Sequence, residues 1–360
     1  MHRSDGPGFK RHTVGPAPAG RQWVVGFALA GVLFAVTAPA GEPVSNRFEF
    51  SRPEMGVPVR VVLYAPDNAA ATTAAEAAFA RIAELNSILS DYDPESELRR
   101  LGNATSEGKS VPVSKDLWRV LVRSQDVSTR SDGAFDVTVG PVVRLWRRAR
   151  RRGQLPAPDR LAAARKLVGY QLLQLDQENR SVKLGKPDMW LDLGGIAKGY
   201  AVDEALAVLR KHGISRALVD AGGDMVLGAP PPGKQGWRIG IAPLEPDGPP
   251  SQILSLANVA VATSGDTWQF VVIDGRRYSH IVDPKTGVGL TDHSSVTVVA
   301  PDGITADSLA SAVSVLGPNN GLKLIEATPN TEAFIVRAPK AKPETHQSTG
   351  WKGLPRMESK

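Results

Sequence analysis

A chain of 360 residues with 42% apolar and 22% charged content can bury a full core, and it lacks the bias of disordered or fibrous proteins. The net charge of +6 does not argue for nucleic acid: much of the excess sits in Arg144 to Arg152, six arginines in nine positions with Trp146 as the one aromatic, which reads as a solvated turn or a helix end. The absence of cysteine excludes disulfides, thiolate metal sites and a lipid anchor carried on an N-terminal Cys.

Residues 1–40 read as a signal peptide. Lys10, Arg11 and Arg21 precede an apolar stretch from Trp23 to Val36, and Ala38-Pro39-Ala40 follows as a small-x-small cleavage site. The expected location is the periplasm. Membrane association is expected only through this segment if it stays uncleaved, since Trp23 to Ala40 just reaches bilayer length. Phe48 to Tyr64 contains the alternating run Val57, Val59, Val61, Leu63 of a half-buried strand, and Ala69 to Leu89 keeps helical spacing. Ser114 to Val127 predicts a helix with Ser114 as N-cap and Asp116 in its first turn. Leu172 to Lys183 predicts a hairpin about Asp176 to Asn179, and Ala217 to Leu227 a strand interrupted by Gly222-Gly223. Trp237 to Pro243, Gln252 to Ala262, Gln269 to Ile273 and Val296 to Ala300 read as strands, and Ala306 to Leu316 as a helix that Thr305 can cap. Without a strict βαβ rhythm, the expected class is α+β, one domain over residues 45–336 with a mixed, largely antiparallel sheet and flanking helices. Residues 337–360 read as a polar tail that frays or wraps the surface.

Several windows carry candidate chemistry, each beside a plainer reading. Leu191 to Asp203, LDLGGIAKGYAVD, places a Gly-Gly turn, a lone Lys198 and a helix start together, which suits an anionic ligand at a helix N-terminus. The plainer reading is a strand-turn-helix junction in which Gly194 and Gly195 supply positive φ and Lys198 reaches into water. Asp307 and Ser311, four apart on one helix, set a carboxylate above a hydroxyl, a hard-oxygen pair that suits Mg²⁺; helix-dipole preference alone also accounts for an early Asp. His280, at the end of an expected strand and ahead of Asp283-Pro284-Lys285-Thr286-Gly287, is the best general-base candidate among six histidines, or else a half-buried strand histidine. Tyr92 can stack on a flat heteroaromatic or pack on its own helix. Gly133-Ala134-Phe135-Asp136 can bring backbone to a ligand, with Phe135 otherwise a core residue. No G-x-S-x-G elbow is present, so serine-nucleophile hydrolysis is not expected.

In order, LSDYDPESEL, DGAFDVTVGP, LDLGGIAKGYAVD, TSGDT with RYSHIVDPKTG, and ADSLASAVSVLG, with EMGVPVRV as a weaker lead-in, resemble the FAD:protein FMN transferase (ApbE) family over residues 50 to 335. The resemblance implies an Mg²⁺-dependent enzyme that moves the FMN half of FAD onto a Thr or Ser of a partner flavoprotein and releases AMP. Carried over by position, it implies a metal held by Asp307, Ser311 and the backbone carbonyl of Gly195. It implies FAD contacts from Met55, Tyr92, Ala134, Phe135, Asp136, Asp192, Lys198, Ile281 and Ala310, and catalysis by His280. Ser311 stands where the family commonly carries Thr, keeping the hydroxyl and losing the rotamer-restricting methyl; Thr267 and Trp268 follow Ser264-Gly265-Asp266 where an aromatic is usual.

Elementary chemistry agrees with this implication. A diphosphate must be neutralised before an oxygen nucleophile approaches phosphorus, which a cation and Lys198 can do, and a Thr hydroxyl gains from a base such as His280. Two other readings fit the same residues: a metal-dependent FAD pyrophosphatase giving FMN and AMP, and a non-catalytic periplasmic FAD-binding or delivery protein. The expected partners are FAD and an acceptor in a membrane or periplasmic electron-transfer system.

Overall fold

The alternating run that starts at Val57 does not continue from Phe48 as one strand. It is the second arm of a hairpin in which β1 (Asn46–Glu54) and β2 (Val57–Ala65) pair antiparallel about Met55 and Gly56, at φ 49 and 77. The computed structural model describes residues 45–105, 108–245, 248–267, 269–339 and 342–357, so the expected export segment 1–40 and Trp268 lie outside the described residues. After β2 come α1 (Asn68–Leu89), capped by Asp67 accepting from Ala70 N at 2.8 Å, then α2 (Glu97–Thr105) and the short β3 (Val111–Pro112). The helix α3 (Lys115–Arg130) has the expected cap, Ser114 accepting from Leu117 N at 3.2 Å. It is followed by α4 (Gly140–Arg152), α5 (Pro158–Arg165) and the expected hairpin of β4 (Leu173–Asp176) and β5 (Ser181–Leu184). The arginine run is the C-terminal part of α4 and ends at Gly153 in the left-handed region.

The helix α6 (Ala197–Lys211) leads to β6 (Ala217–Ala221) and β7 (Asp224–Leu227). Gly222 and Gly223, both at positive φ, therefore do not interrupt a strand; they reverse the chain, because only glycine takes two consecutive left-handed positions without strain. Then follow β8 (Trp237–Ile241), β9 (Gln252–Leu256), β10 (Ala260–Gly265), β11 (Phe270–Ile273), β12 (Arg276–Ser279) and β13 (Ser294–Ala300). The last elements are α7 (Gly303–Glu326), β14 (Glu332–Arg337) and β15 (Glu344–Gln347). The cap of α7 is Asp302 rather than Thr305: its carboxylate accepts from Thr305 N at 2.9 Å, so the helix starts a turn earlier than its apolar spacing implies. It also runs past Leu316 through a kink at Gly317, next to Pro318.

Eight strands form one sheet in the order β1-β2-β6-β7-β10-β13-β14-β15, with every neighbouring pair antiparallel, and the fold is α+β. Strand alternation divides the interior. Val59, Val61 and Leu63 face a core shared with α1, α6 and α7, whereas Val62, Leu218 and Val299 face a second core closed by the β8–β9 hairpin. A third cluster joins Trp146 of α4 to Tyr278 of β12, ring centroids 5.1 Å apart.

Over the described residues 342–357 the polar C-terminal segment wraps the fold, the second of the two expected forms. β15 adds to the sheet edge, and Trp351, 0% exposed, stacks on Phe334 at 5.4 Å between centroids. Strand pairing of β15, the Ser348 hydroxyl accepting from Ala333 N at 2.9 Å and the buried Trp351 together dock a stretch whose average composition is that of a tail.

Candidate active site

The N-terminal turns of α6 and α7 cross in contact. A Cβ on Gly199 would lie 2.1 Å from Gly303 O and 2.7 Å from Asp307 Cβ, so the crossing requires glycine. Two carboxylates pin it. Asp203 accepts from Gly303 N at 2.7 Å and Ile304 N at 3.0 Å, and Asp307 Oδ2 accepts from Gly199 N at 3.0 Å. Burial, only partly offset by these two amide donors, pushes the Asp203 carboxyl up to about 7.

Lys198, on the first turn of α6, is held in an ion pair with Asp224 at the start of β7, and its Nζ lies 4.0 Å from Asp307. Its ammonium is turned to these carboxylates, with the side chain a quarter exposed. Asp224 and Asp307 are each 4% exposed. Burial, then the Asp307 charge, push Asp224 up to about 7 even though Lys198 pulls it down. Burial raises Asp307 as well, against Lys198 and the Gly199 amide. Burial disfavours the Lys198 ammonium, but the two carboxylates outweigh it and hold its pKa above the ordinary value. Two buried carboxylates thus share one ammonium.

Ser311 follows Asp307 by one helical turn, as its spacing requires. A Cβ on Gly195 would lie 2.7 Å from Ser311 Oγ and 3.3 Å from the Phe135 ring, which brings Gly195, Ser311 and Phe135 into one cluster. Neither Gly194 nor Gly195 has positive φ, so what this turn requires is space rather than left-handed backbone. A Cβ on Gly194 would meet Asp192 Oδ1 at 2.9 Å, the same oxygen that accepts from Gly194 N at 2.8 Å. Among the described residues no three His, Cys, Asp or Glu side chains form a metal cluster. A set of one carboxylate, one hydroxyl and one carbonyl would leave most of a cation's shell to water and ligand oxygens, as Mg²⁺ prefers. The excess buried negative charge at Asp224 and Asp307 fits such a cation.

Arg147 of α4 lies between Asp91 and Asp192, pairing with both, at 2.7 Å in the case of Asp192. Its guanidinium stands 4.1 Å from the centre of the Tyr92 ring, which is 74% exposed and free to present its outer face. Burial, then the charge of Asp192, raise the Asp91 carboxyl. Asp136 is buried and caps the following turn, accepting from Thr138 N at 2.8 Å and Thr138 Oγ1 at 2.6 Å; burial raises its pKa. Ala134 and Ala310 are buried, and Met55 sits in the β1–β2 turn. Since Val59 pairs with Ala221 and Ala221 with Asp224, that turn and the Gly222-Gly223 turn occupy one end of the sheet.

His280 follows β12 directly and is half-buried. Its backbone N donates to Gln269 O at 3.0 Å, and its Nδ1 lies 3.1 Å from the same carbonyl. A carbonyl only accepts, so Nδ1 carries the proton and Nε2 keeps a lone pair. Burial lowers the imidazole to about 4, with the charges of Arg150 and Lys198 adding to the effect, which keeps it neutral at pH 7. Ile281 beside it accepts from Leu290 N at 2.9 Å and donates its own N–H to Ser279 Oγ at 3.1 Å.

Three charged residues of this region escaped sequence reasoning. Asp224 hid inside what read as one strand, Arg147 among six arginines, and Asp91 beside the more conspicuous Tyr92. The glycine pair ahead of Asp224 was the available signal for a turn at a sheet end.

Known proteins share this architecture. The model of the ApbE family matches residues 55–335. An FAD:protein FMN transferase from Haemophilus influenzae is 33% identical over 262 residues, covering 71% of this chain and 75% of its own. One from Vibrio cholerae is 31% identical over 322 residues, covering 88% and 94%. Among solved structures, the flavin transferase ApbE from Vibrio cholerae superposes with a TM-score of 0.77 at 29% identity, covering 86% of this chain and 100% of its own. The ApbE protein from Thermotoga maritima does so with 0.78 at 30% identity, covering 87% and 100%. With the family model matched over residues 55–335 and relatives of 31% and 33% identity covering most of both chains, the chain belongs to the ApbE family.

Proposed function

We propose that the protein transfers the FMN moiety of FAD onto a Thr or Ser hydroxyl of a partner flavoprotein and releases AMP. The observation that carries this reading is the first turn of α6, where Gly199 N and Lys198 meet the buried carboxylates Asp307 and Asp224. The ammonium at the start of α6 suits a diphosphate, and the surplus carboxylate charge suits a divalent cation beside it. Asp307, Ser311 and the Gly195 carbonyl would hold Mg²⁺, which when bound neutralises diphosphate charge.

The chain's own groups account for the rest. Tyr92, backed by Arg147, offers a ring face for stacking, and Asp192 braces the Gly194-Gly195 turn. The acceptor hydroxyl gives its proton to His280 Nε2 as its oxygen bonds to the FMN phosphorus. The bond from that phosphorus to the bridging oxygen breaks, and AMP leaves with the electron pair, its charge steadied by Lys198. Burial keeps the imidazole neutral near pH 7, so Nε2 has its lone pair free for that proton. Residues 1–40 are proposed as an export signal, which would place the reaction in the periplasm among acceptors of membrane or periplasmic electron-transfer systems.

The protein lacking residues 1–40 is incubated with FAD, Mg²⁺ and the purified flavoprotein subunit of such a system. Covalent flavin fluorescence on the acceptor is expected. Free FMN with AMP would instead establish a pyrophosphatase, and unchanged FAD a binding or delivery protein.

A further inference from the structure

Asp266, at the end of β10, is 1% exposed and ties together three chain segments. Its Oδ2 accepts from Arg277 Nε of β12, while its Oδ1 accepts from His293 Nδ1 at 2.7 Å and from Ser294 N at 3.0 Å, at the start of β13. Arg277 Nη2 also donates to the Asp266 backbone carbonyl, and its guanidinium lies 3.4 Å from the centre of the Phe270 ring in β11. The β11–β12 hairpin belongs to a two-stranded sheet of its own and is not hydrogen-bonded into the eight-stranded sheet. Asp266 is thus the charged link that fixes this hairpin to the main sheet.

The hairpin carries both halves of the base. His280 stands three residues after Arg277, and Gln269, whose carbonyl receives both the His280 backbone N and its Nδ1, stands three residues after Asp266. One carboxylate therefore anchors the strand that bears the imidazole and the segment that selects its tautomer. We infer that Asp266 is a positioning residue that acts through His280, holding the imidazole against the Gln269 carbonyl so that Nε2 presents its lone pair. The inference rests on the transferase reading for its kinetic consequence, but not for its structural one.

Asp266→Asn keeps the shape and removes the charge; Arg277→Gln removes the same link from the other side and serves if the first variant folds poorly. Two readouts are taken on the FAD-binding protein. In ¹⁵N spectra of histidine-labelled protein, with the His280 signals identified by their loss in His280→Ala, the wild type shows the Nδ1–H tautomer and each variant shows a raised share of the Nε2–H form. In transfer assays the variants lose about 10²-fold in kcat, the scale of a catalytic group displaced by about 1 Å, with the KM for FAD within about twofold of wild type. An unchanged tautomer with wild-type kcat in both variants overturns the inference. So does a loss confined to KM. If the wild type transfers no flavin at all, the transferase reading falls, and the tautomer shift still decides the role of Asp266.

Discussion

Replacing Gly199 by Ala attacks the crossing of α6 and α7 on which the site is built. The new Cβ would sit 2.1 Å from Gly303 O and 2.7 Å from Asp307 Cβ, against backbone on one side and a pinned carboxylate on the other. Reaching an ordinary contact requires the helices to part by about 1 Å, and packed interiors resist such shifts. The movement strains the bonds from Gly199 N to Asp307 and from Gly303 N and Ile304 N to Asp203, 2.7 to 3.0 Å in length. One is a bond to the buried Asp307 and two are bonds to the half-buried Asp203; at about 1.5 kcal/mol apiece their loss comes to about 4.5 kcal/mol. Alanine's higher helix propensity returns about 1 kcal/mol, leaving a net destabilisation of about 3 to 4 kcal/mol. Urea unfolding followed by circular dichroism at pH 7 measures this directly. A variant within about 1 kcal/mol of the wild type would refute the claim that the two helix ends meet in unyielding contact.

Further outcomes follow from neighbouring groups. Gly195→Ala sets a methyl 2.7 Å from Ser311 Oγ, and Mg²⁺ titration should show affinity lowered by about tenfold or more with the fold intact. Lys198→Met leaves Asp224 and Asp307 without their shared cation; infrared titration of the carboxyl band should place Asp224 above its value of about 7, and FAD binding should weaken. Because His280 is depressed from 6.5 to about 4 in the folded protein, the unfolded chain binds its proton first. Its contribution to stability is therefore complete above about pH 6.5 and is lost as the pH falls towards 4; urea midpoints compared across that window should fall less steeply in His280→Gln. Trp351→Ala, which empties a fully buried site against Phe334, should cost about 3 to 5 kcal/mol in the same unfolding assay, whereas a frayed tail would lose nothing.

Local chemistry explains which parts were legible in the sequence. Ser114 and the Asp176 to Asn179 turn act within a few residues, so cap and hairpin were readable where they stand. The placement of Asp307 one turn before Ser311 was also readable, because a helical i,i+4 pair carries its geometry with it. What escaped depends on contacts remote in sequence. The ion pair of Lys198 with Asp224 exists only because β7 starts beside α6, and Arg147 is singled out from its run only by Asp91 and Asp192. The Gly194-Gly195 turn shows the same limit: the plainer reading wanted glycine there for φ, but neighbouring Asp192, and Ser311 and Phe135 from other segments, leave room for no side chain.

The claim that Asp307 seats a divalent cation against the diphosphate of FAD is tested most directly by calorimetric binding of FAD with and without Mg²⁺, in the wild type and in Asp307→Asn. The wild type should bind FAD about tenfold or more tightly when Mg²⁺ is present, and the variant should show one weak affinity under both conditions. If Asp307→Asn retained the full Mg²⁺ dependence, the cation would have to be held elsewhere, and the site assembled around the α6–α7 crossing would not be where the diphosphate binds.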